Sequence, residues 1–236
     1  MINALCGTAP KRLKDEFLNH GIRLYETGPC NCLQEPLRGH IDLMALKWNE
    51  YLFVTPETEG LILTVLKDIY DEIPLKLIVT KEHLKETYPG DVLLNVKIVG
   101  KTVIGNRATM SETVREFFEE RNFEFINIKQ GYTGCSILKV NDDFIITDDD
   151  SIFEGTKKHI KTLKITKGSI LLPGYNYGFI GGSTLALHNQ IFLFGDYEKS
   201  PINGIASENE CCKDNLFTSL LKDENLIDIG GIISLE

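Results

Sequence analysis

The side chains whose types and settings suit chemistry begin with His40 and Asp42, in Gly39-His40-Ile41-Asp42. They continue with Asp91, the pair Cys135-Ser136, and Ser183. A cysteine becomes a nucleophile as its thiolate, which forms near neutral pH when a neighbouring cation or a helix N-terminus lowers its pKa. Histidine titrates close to neutrality and can shuttle protons, and a carboxylate can hold a planar cation through two parallel hydrogen bonds. Each residue also has an ordinary alternative. His40 beside a glycine can serve a turn, Cys135 can be a small buried hydrophobe, and Asp91 after Pro89-Gly90 can be a turn aspartate.

Other candidates are weaker. Cys30-Asn31-Cys32 and Cys211-Cys212 each offer two sulfurs, but no second ligand pair at zinc-site spacing accompanies them, so no structural metal is expected. Asp148-Asp149-Asp150 reads as a solvated turn able to cap a helix rather than a metal site. Gly178-Phe179-Ile180-Gly181-Gly182-Ser183 could offer backbone N–H groups to an anion, but it matches neither a Walker loop nor a dinucleotide fingerprint. A close approach of backbones is the better account, and no cofactor is expected.

These residues must be positioned by a chain of 236 residues with 25 Lys+Arg against 34 Asp+Glu, a net charge of −9. That balance disfavours nucleic acid or an anionic membrane as the main partner. The opening Met1–Gly7 is too short an apolar run for a signal peptide and lacks a basic segment before it. Gly168–Gly195 carries no Asp, Glu, Lys or Arg, but proline, glycine and amide residues interrupt it too densely for a membrane span. A cytoplasmic protein with reduced cysteines is expected. The sequence assigns no oligomeric state and no role to the loop 196–207.

The positioning elements repeat. Residues 39–55, 89–106, 131–148 and 179–195 share one layout: a polar or glycine-rich entry, an apolar strand, a tight Asn, Asp or Gly turn, and a second strand. A helix is expected after each hairpin, capped at Thr58, at Thr109 with Glu112, at Ser151 with Glu154, and at Ser207 with Glu210 before Leu216, Phe217, Leu220 and Leu221. A short third strand follows, at Lys76, Phe125, Leu163 and Leu226. The ends supply a strand at Ile2–Leu5, a helix over about Thr8–His20, a strand at Ile22–Tyr25 and a last strand at Ile232–Leu235. Pairing the terminal strands makes a fifth unit and closes a ring, which removes sheet edges. The expected architecture is a single α/β domain over 1–236, a closed propeller of five ββαβ units with the fifth completed by both termini. Its strand entries converge on one axis, and the candidate residues with them.

A ring of five ββαβ units resembles the pentein fold of arginine and agmatine deiminases, amidinotransferases and dimethylarginine hydrolases. Gly39-His40-Ile41-Asp42 is similar to the His-x-Asp motif carrying that superfamily's catalytic histidine and a substrate-binding aspartate. Gln130-Gly131-Tyr132-Thr133-Gly134-Cys135 and Tyr177-Gly178-Phe179-Ile180-Gly181-Gly182 also resemble segments of a bacterial pentein-like family of undescribed function. The resemblance implies a cysteine-dependent hydrolase or transferase acting on a guanidine or amidine compound, with His40 catalytic and Asp42 binding substrate; by their place at or beside the strand entries, Cys135 is the candidate nucleophile and Asp91, Ser136 and Ser183 are candidate substrate-binding residues. In the superfamily's enzymes the nucleophile lies near the C-terminus. Here Gly230-Gly231-Ile232-Ile233-Ser234 has no cysteine, and Cys135 is the one cysteine at a hairpin entry. The alternatives are a non-catalytic binding module on the same ring, as in ribosome-binding initiation factor six, and an unrelated small-molecule-binding α/β protein.

Overall fold

Two β-rich runs around a two-residue turn fold back on themselves wherever the turn tolerates a left-handed backbone. Asn49 (φ 49°), Gly100 (φ 55°) and His188 (φ 53°) supply that conformation in three of the hairpins. The computed structural model describes every residue except 68, 70–72, 206–211 and 213. It contains five three-stranded sheets, and each one joins an antiparallel hairpin to a parallel third strand.

The first unit comprises β3 (Ala45–Trp48), β4 (Tyr51–Val54), α3 (Pro56–Leu66) and β5 (Lys76–Val79), preceded by a single helical turn, α2 (Ile41–Met44). The second is β6 (Lys97–Val99), β7 (Thr102–Gly105), α4 (Glu112–Glu119) and β8 (Glu124–Asn127). The third is β9 (Ile137–Lys139), β10 (Phe144–Thr147), α5 (Asp150–Thr156) and β11 (Lys161–Lys164). The fourth is β12 (Thr184–Leu187), β13 (Gln190–Leu193) and β14 (Leu216–Ser219). The fifth joins the two ends: β15 (Ile233–Ser234) pairs antiparallel with β1 (Ile2–Cys6), which α1 (Lys11–Asn19) connects to a parallel β2 (Ile22–Glu26). The register sets Ala4 opposite Ser234 and Leu5 opposite Ile233, and Leu235 N–H donates to the Asn3 carbonyl at 2.9 Å.

Local chemistry differs from the sequence expectation at the caps. Thr55, not Thr58, is the N-cap of α3; Thr58 sits at the third helical position and closes a capping box with it. Ser111 caps α4 in place of Thr109, accepting from Val114 N–H. Asp149 caps α5 in place of Ser151, accepting from the N–H groups of Ser151 and Ile152. In each case the residue whose backbone is still extended is the cap, and its neighbour is already helical. In the fourth unit Leu216 and Phe217 belong to β14 rather than to a helix, and the caps expected at Ser207 and Glu210 lie outside the described residues. The strand expected at Leu226 reduces to one bridge between Ile227 and Leu171.

The core lies between sheets and helices. In the second unit Val114 and Phe118 of α4 pack with Phe53, Val103 and Phe123 in one apolar cluster, each such side chain contributing roughly 1.5–3 kcal/mol by leaving water. The inner strands β3, β6, β9, β12 and β15 all face a cavity of about 660 Å³, whose wall includes Lys47, Lys97, Lys139, Leu185 and Ile233. One cavity touched by all five inner strands defines the axis of the ring. Among the described residues no helix is long and apolar enough to cross a membrane.

Candidate active site

At one end of the axis the segments entering the inner strands meet. Asn95, Cys135, Gly182 and Gly231 each lie two residues before an inner strand, and Asp42 lies three before one. The ring repeats this position, so residues far apart in sequence become neighbours. The glycines are required by close packing. A Cβ on Gly182 would lie 1.9 Å from Asp228 Oδ1, and one on Gly181 would lie 2.5 Å from the carbonyl oxygens of Cys135 and Ile137. This close approach of backbones is the role the sequence indicated for the glycine-rich segment.

Asp42, Asn95 and Cys135 form a closed cluster. The thiol of Cys135 donates to Asp42 Oδ2 at 2.7 Å, and Asn95 Nδ2 donates to Cys135 Sγ at 3.0 Å and to the Asp42 carbonyl at 3.1 Å. Cys135 N–H returns a bond to Asn95 Oδ1 at 3.1 Å. His40 Nδ1 stands 4.0 Å from both Asp42 Oδ1 and Asp228 Oδ1, so two acids share one nitrogen of the imidazole. Asp228 is fixed by the N–H groups of Phe179 (2.8 Å) and Gly230 (2.9 Å). The buried Asp42 Oδ1 has no hydrogen-bond partner. The structure therefore brings Cys135, His40 and Asp42 together, as the sequence suggested. It adds Asn95 and Asp228, which sequence reasoning missed.

Burial dominates the protonation of these groups. It pushes the carboxyls of Asp42 and Asp228 up to about 6, against the opposing effects of His40 on Asp42 and of the two N–H donors on Asp228. It holds His40 below its ordinary value, with Asp42 pulling the other way. Cys135 is pushed well above the usual thiol value, first by burial and then by the negative charge of Asp42. A lowered thiol pKa, as a neighbouring histidinium would produce, is therefore not what this site has. Lys97, behind Asp42 on the axial cavity, is held below its ordinary value by burial while Asp42 raises it.

Cys135, His40 and Asp228 open on a second cavity, of about 250 Å³, whose other walls include Leu43, Tyr132, Leu172, Tyr177 and Phe179. The remaining sequence candidates stand outside it. Asp91 ends the turn at 88–91, as the sequence allowed, and its buried carboxylate accepts the Tyr132 hydroxyl, which makes it a buttress of the wall. The Ser136 and Ser183 hydroxyls, fully buried, donate to the carbonyls of Tyr132 (2.8 Å) and Ile180 (3.1 Å), so neither is offered to a ligand. Asp148 and Asp149 are buried, not solvated: Asp149 is spent on its cap, and burial pushes Asp148 up to about 6. Among the described residues no three His, Cys, Asp or Glu side chains are grouped so that they could hold a metal ion.

Asp228 had a signal in the sequence, as an acid inside the apolar run Leu226-Ile227-Asp228-Ile229 ahead of Gly230-Gly231. Asn95 had a subtler one, since it holds the same place before its strand as Cys135. Such an arrangement can bind a cation beside Asp228, with the Asp42 carboxyl close behind the cavity wall. It can also deliver a sulfur nucleophile, once the field that keeps the thiol protonated is compensated.

Comparison with known proteins bears on the fold. Residues 5–233 match the profile of a family described as a family of unknown function (DUF6873). No curated protein matches the chain. Agmatine deiminase of C. jejuni is similar in structure, with a TM-score of 0.57 at 9% identity over 99% of this chain and 92% of its own. DDAH from Pseudomonas aeruginosa, solved as a cysteine-to-serine mutant with citrulline, gives 0.54 at 8% identity over 93% of each chain. The inosamine-phosphate amidinotransferase of Streptomyces griseus gives 0.55 at 11% over 95% of this chain and 78% of its own. The fold is the five-unit pentein propeller expected from the sequence.

Proposed function

The chain belongs to that family of unknown function, and from this premise and the site's geometry we propose that it is a cysteine-dependent enzyme acting on a guanidine or amidine cation. One observation carries the reading: the Cys135 thiol donates to Asp42 at 2.7 Å at the wall of a small cavity that it shares with His40 and Asp228. Solved neighbours named for agmatine, citrulline and amidino transfer support the ligand class.

A bound guanidinium offsets the charges of Asp42 and Asp228 and so removes one of the causes that hold the thiol protonated. The thiol proton passes to Asp42 Oδ2, and the thiolate attacks the central carbon of the cation. A C–S bond forms, and the C–N bond to the amine breaks as that nitrogen takes up a proton by way of His40. Water then adds to the thiouronium carbon, giving a proton to His40, and the C–S bond breaks to return the thiol and a urea. An amine in place of water makes the same sequence a transfer.

A second reading, binding without turnover, is favoured by the raised thiol pKa and the closed Asp42–Asn95–Cys135 hydrogen-bond cluster. Incubation with guanidine and amidine compounds separates the two. The enzyme reading expects release of amine or ammonia and a mass adduct confined to Cys135, both lost in Cys135→Ser. Ligand-induced stabilisation of the wild type and of Cys135→Ser alike, without release or adduct, supports the binding module and overturns the enzyme.

A further inference from the structure

Resting on that reading, we propose that the ligand is a guanidine or amidine bearing an apolar or aromatic substituent and no carboxylate. The cavity has two unlike ends. His40, Cys135 and Asp228 form the polar one, and Leu43, Leu172 and Phe179 are among the side chains of the other. Tyr132 and Phe179 lie nearly parallel at that end, 21° between planes with centroids 6.3 Å apart, so they present adjoining faces to whatever fills it.

The polar atoms of this end are already committed. The Tyr132 hydroxyl is held by Asp91 and the Tyr175 hydroxyl by Gln34 at 2.9 Å, so both rings offer faces rather than O–H groups. Among the described residues no lysine or arginine lines the cavity. Of the nearby cations, Arg38 faces a neighbouring pocket and donates to the Leu33 carbonyl, and Lys167, which sits over the Tyr177 ring 5.3 Å from its centroid, is already paired with Asp149 at 3.8 Å. A carboxylate tail would enter a site that already holds Asp228, with Asp42 and Asp91 close behind its walls, and would meet no counter-charge there. An ammonium tail would meet the Asn176 amide and the Tyr177 ring, over which the like charge of Lys167 already sits. An alkyl or aryl tail leaves water for leucine side chains and aromatic faces.

Calorimetry on the full chain with guanidinium chloride, phenethylguanidine, agmatine, 4-guanidinobutyrate and arginine tests this, using Cys135→Ser to prevent turnover. Phenethylguanidine is expected to bind at least tenfold more tightly than agmatine and the two carboxylates. Phe179→Ala should remove most of that advantage while leaving guanidinium chloride unchanged. Tyr175→Arg, at a residue 43% exposed and so tolerant of substitution, should tighten 4-guanidinobutyrate binding and weaken phenethylguanidine, which loses a ring face and meets a like charge. Preference for arginine or 4-guanidinobutyrate in the unmodified pocket overturns this inference alone. If no guanidine binds, guanidinium chloride included, the proposed function fails with it.

Discussion

Asp42→Asn isolates the group that most directly controls the thiol, because Asp42 Oδ2 lies 2.7 Å from Cys135 Sγ. A thiolate and a carboxylate relaxed to about 4 Å repel by about 4 kcal/mol at an effective dielectric constant of about 20. Since a tenfold change in an equilibrium is about 1.4 kcal/mol, neutralising Asp42 lifts a repulsion that favours the protonated thiol by about a thousandfold. The thiolate population near pH 7 then rises about a thousandfold. Intrinsic nucleophilicity falls with pKa at a Brønsted slope of about 0.4–0.5, which gives back about twentyfold. Iodoacetamide should therefore alkylate Cys135 about 30–50-fold faster in the variant, read by peptide mass spectrometry with exposed Cys32 as the internal reference. His40→Ala should change the rate little, since burial keeps the imidazole neutral at that pH. Equal or slower alkylation of Cys135 in Asp42→Asn, with Cys32 unchanged, would refute the electrostatic argument.

Three further outcomes follow from the same structure. Burial pushes Asp148 from 3.8 up to about 6, so the folded state binds its proton more tightly than the unfolded chain does, and its cost to stability grows as pH rises from about 4 through 6. Asp148→Asn should match the wild-type denaturant midpoint at pH 4 and exceed it at pH 7 by up to about 3 kcal/mol; equal midpoints at pH 7 would count against a charged, uncompensated Asp148. Gly182→Ala places a methyl where Asp228 Oδ1 lies 1.9 Å away, so it should cost more than about 3 kcal/mol and abolish ligand-induced thermal stabilisation. A variant that melts and binds like the wild type would show that Asp228 can move freely. Deleting 232–236 removes β15 and the buried Leu235, exposing the edge of β1, and should give an aggregating chain with no cooperative melt; an unchanged melting temperature would sink the closure argument.

The ring was readable in the sequence because its information is local: two β-rich runs and a turn fall within about twenty residues, four times over. The meeting of the terminal strands followed from the incomplete fifth unit, not from any motif. His40, Asp42 and Cys135 stood out by type and by place at a strand entry. Their electrical state did not, because a raised thiol depends on depth of burial and on an acid 93 positions away in the chain. Asn95 was hidden because Asp91, four residues earlier in the same entry, has the more reactive side chain. Ser136 and Ser183 were overvalued because a hydroxyl's partner is decided by turn geometry, and both hydroxyls are spent on nearby carbonyls. The cap errors have one cause. A Thr or Ser just ahead of an apolar run, with or without an acid three residues on, marks a helix start only to within a turn, and backbone conformation chooses among the candidates.

The pairing of β15 with β1 also sets an order on how the molecule assembles. Every other sheet joins strands within one stretch of chain, as β3 to β5 do between Ala45 and Val79, whereas Ser234 must find Ala4. The extra closure entropy is small, about 0.6 kcal/mol for each doubling of the loop, but non-local pairing is slow. During synthesis at about 5–20 residues per second, β1 emerges roughly 10–50 s before its partner strand exists. Four units can form while the fifth stays a half-sheet with one unsatisfied edge. The amides of β1 that face β15 should accordingly be among the last protected in pulse-labelled hydrogen exchange. The nascent chain is most prone to pair with a neighbour in that interval.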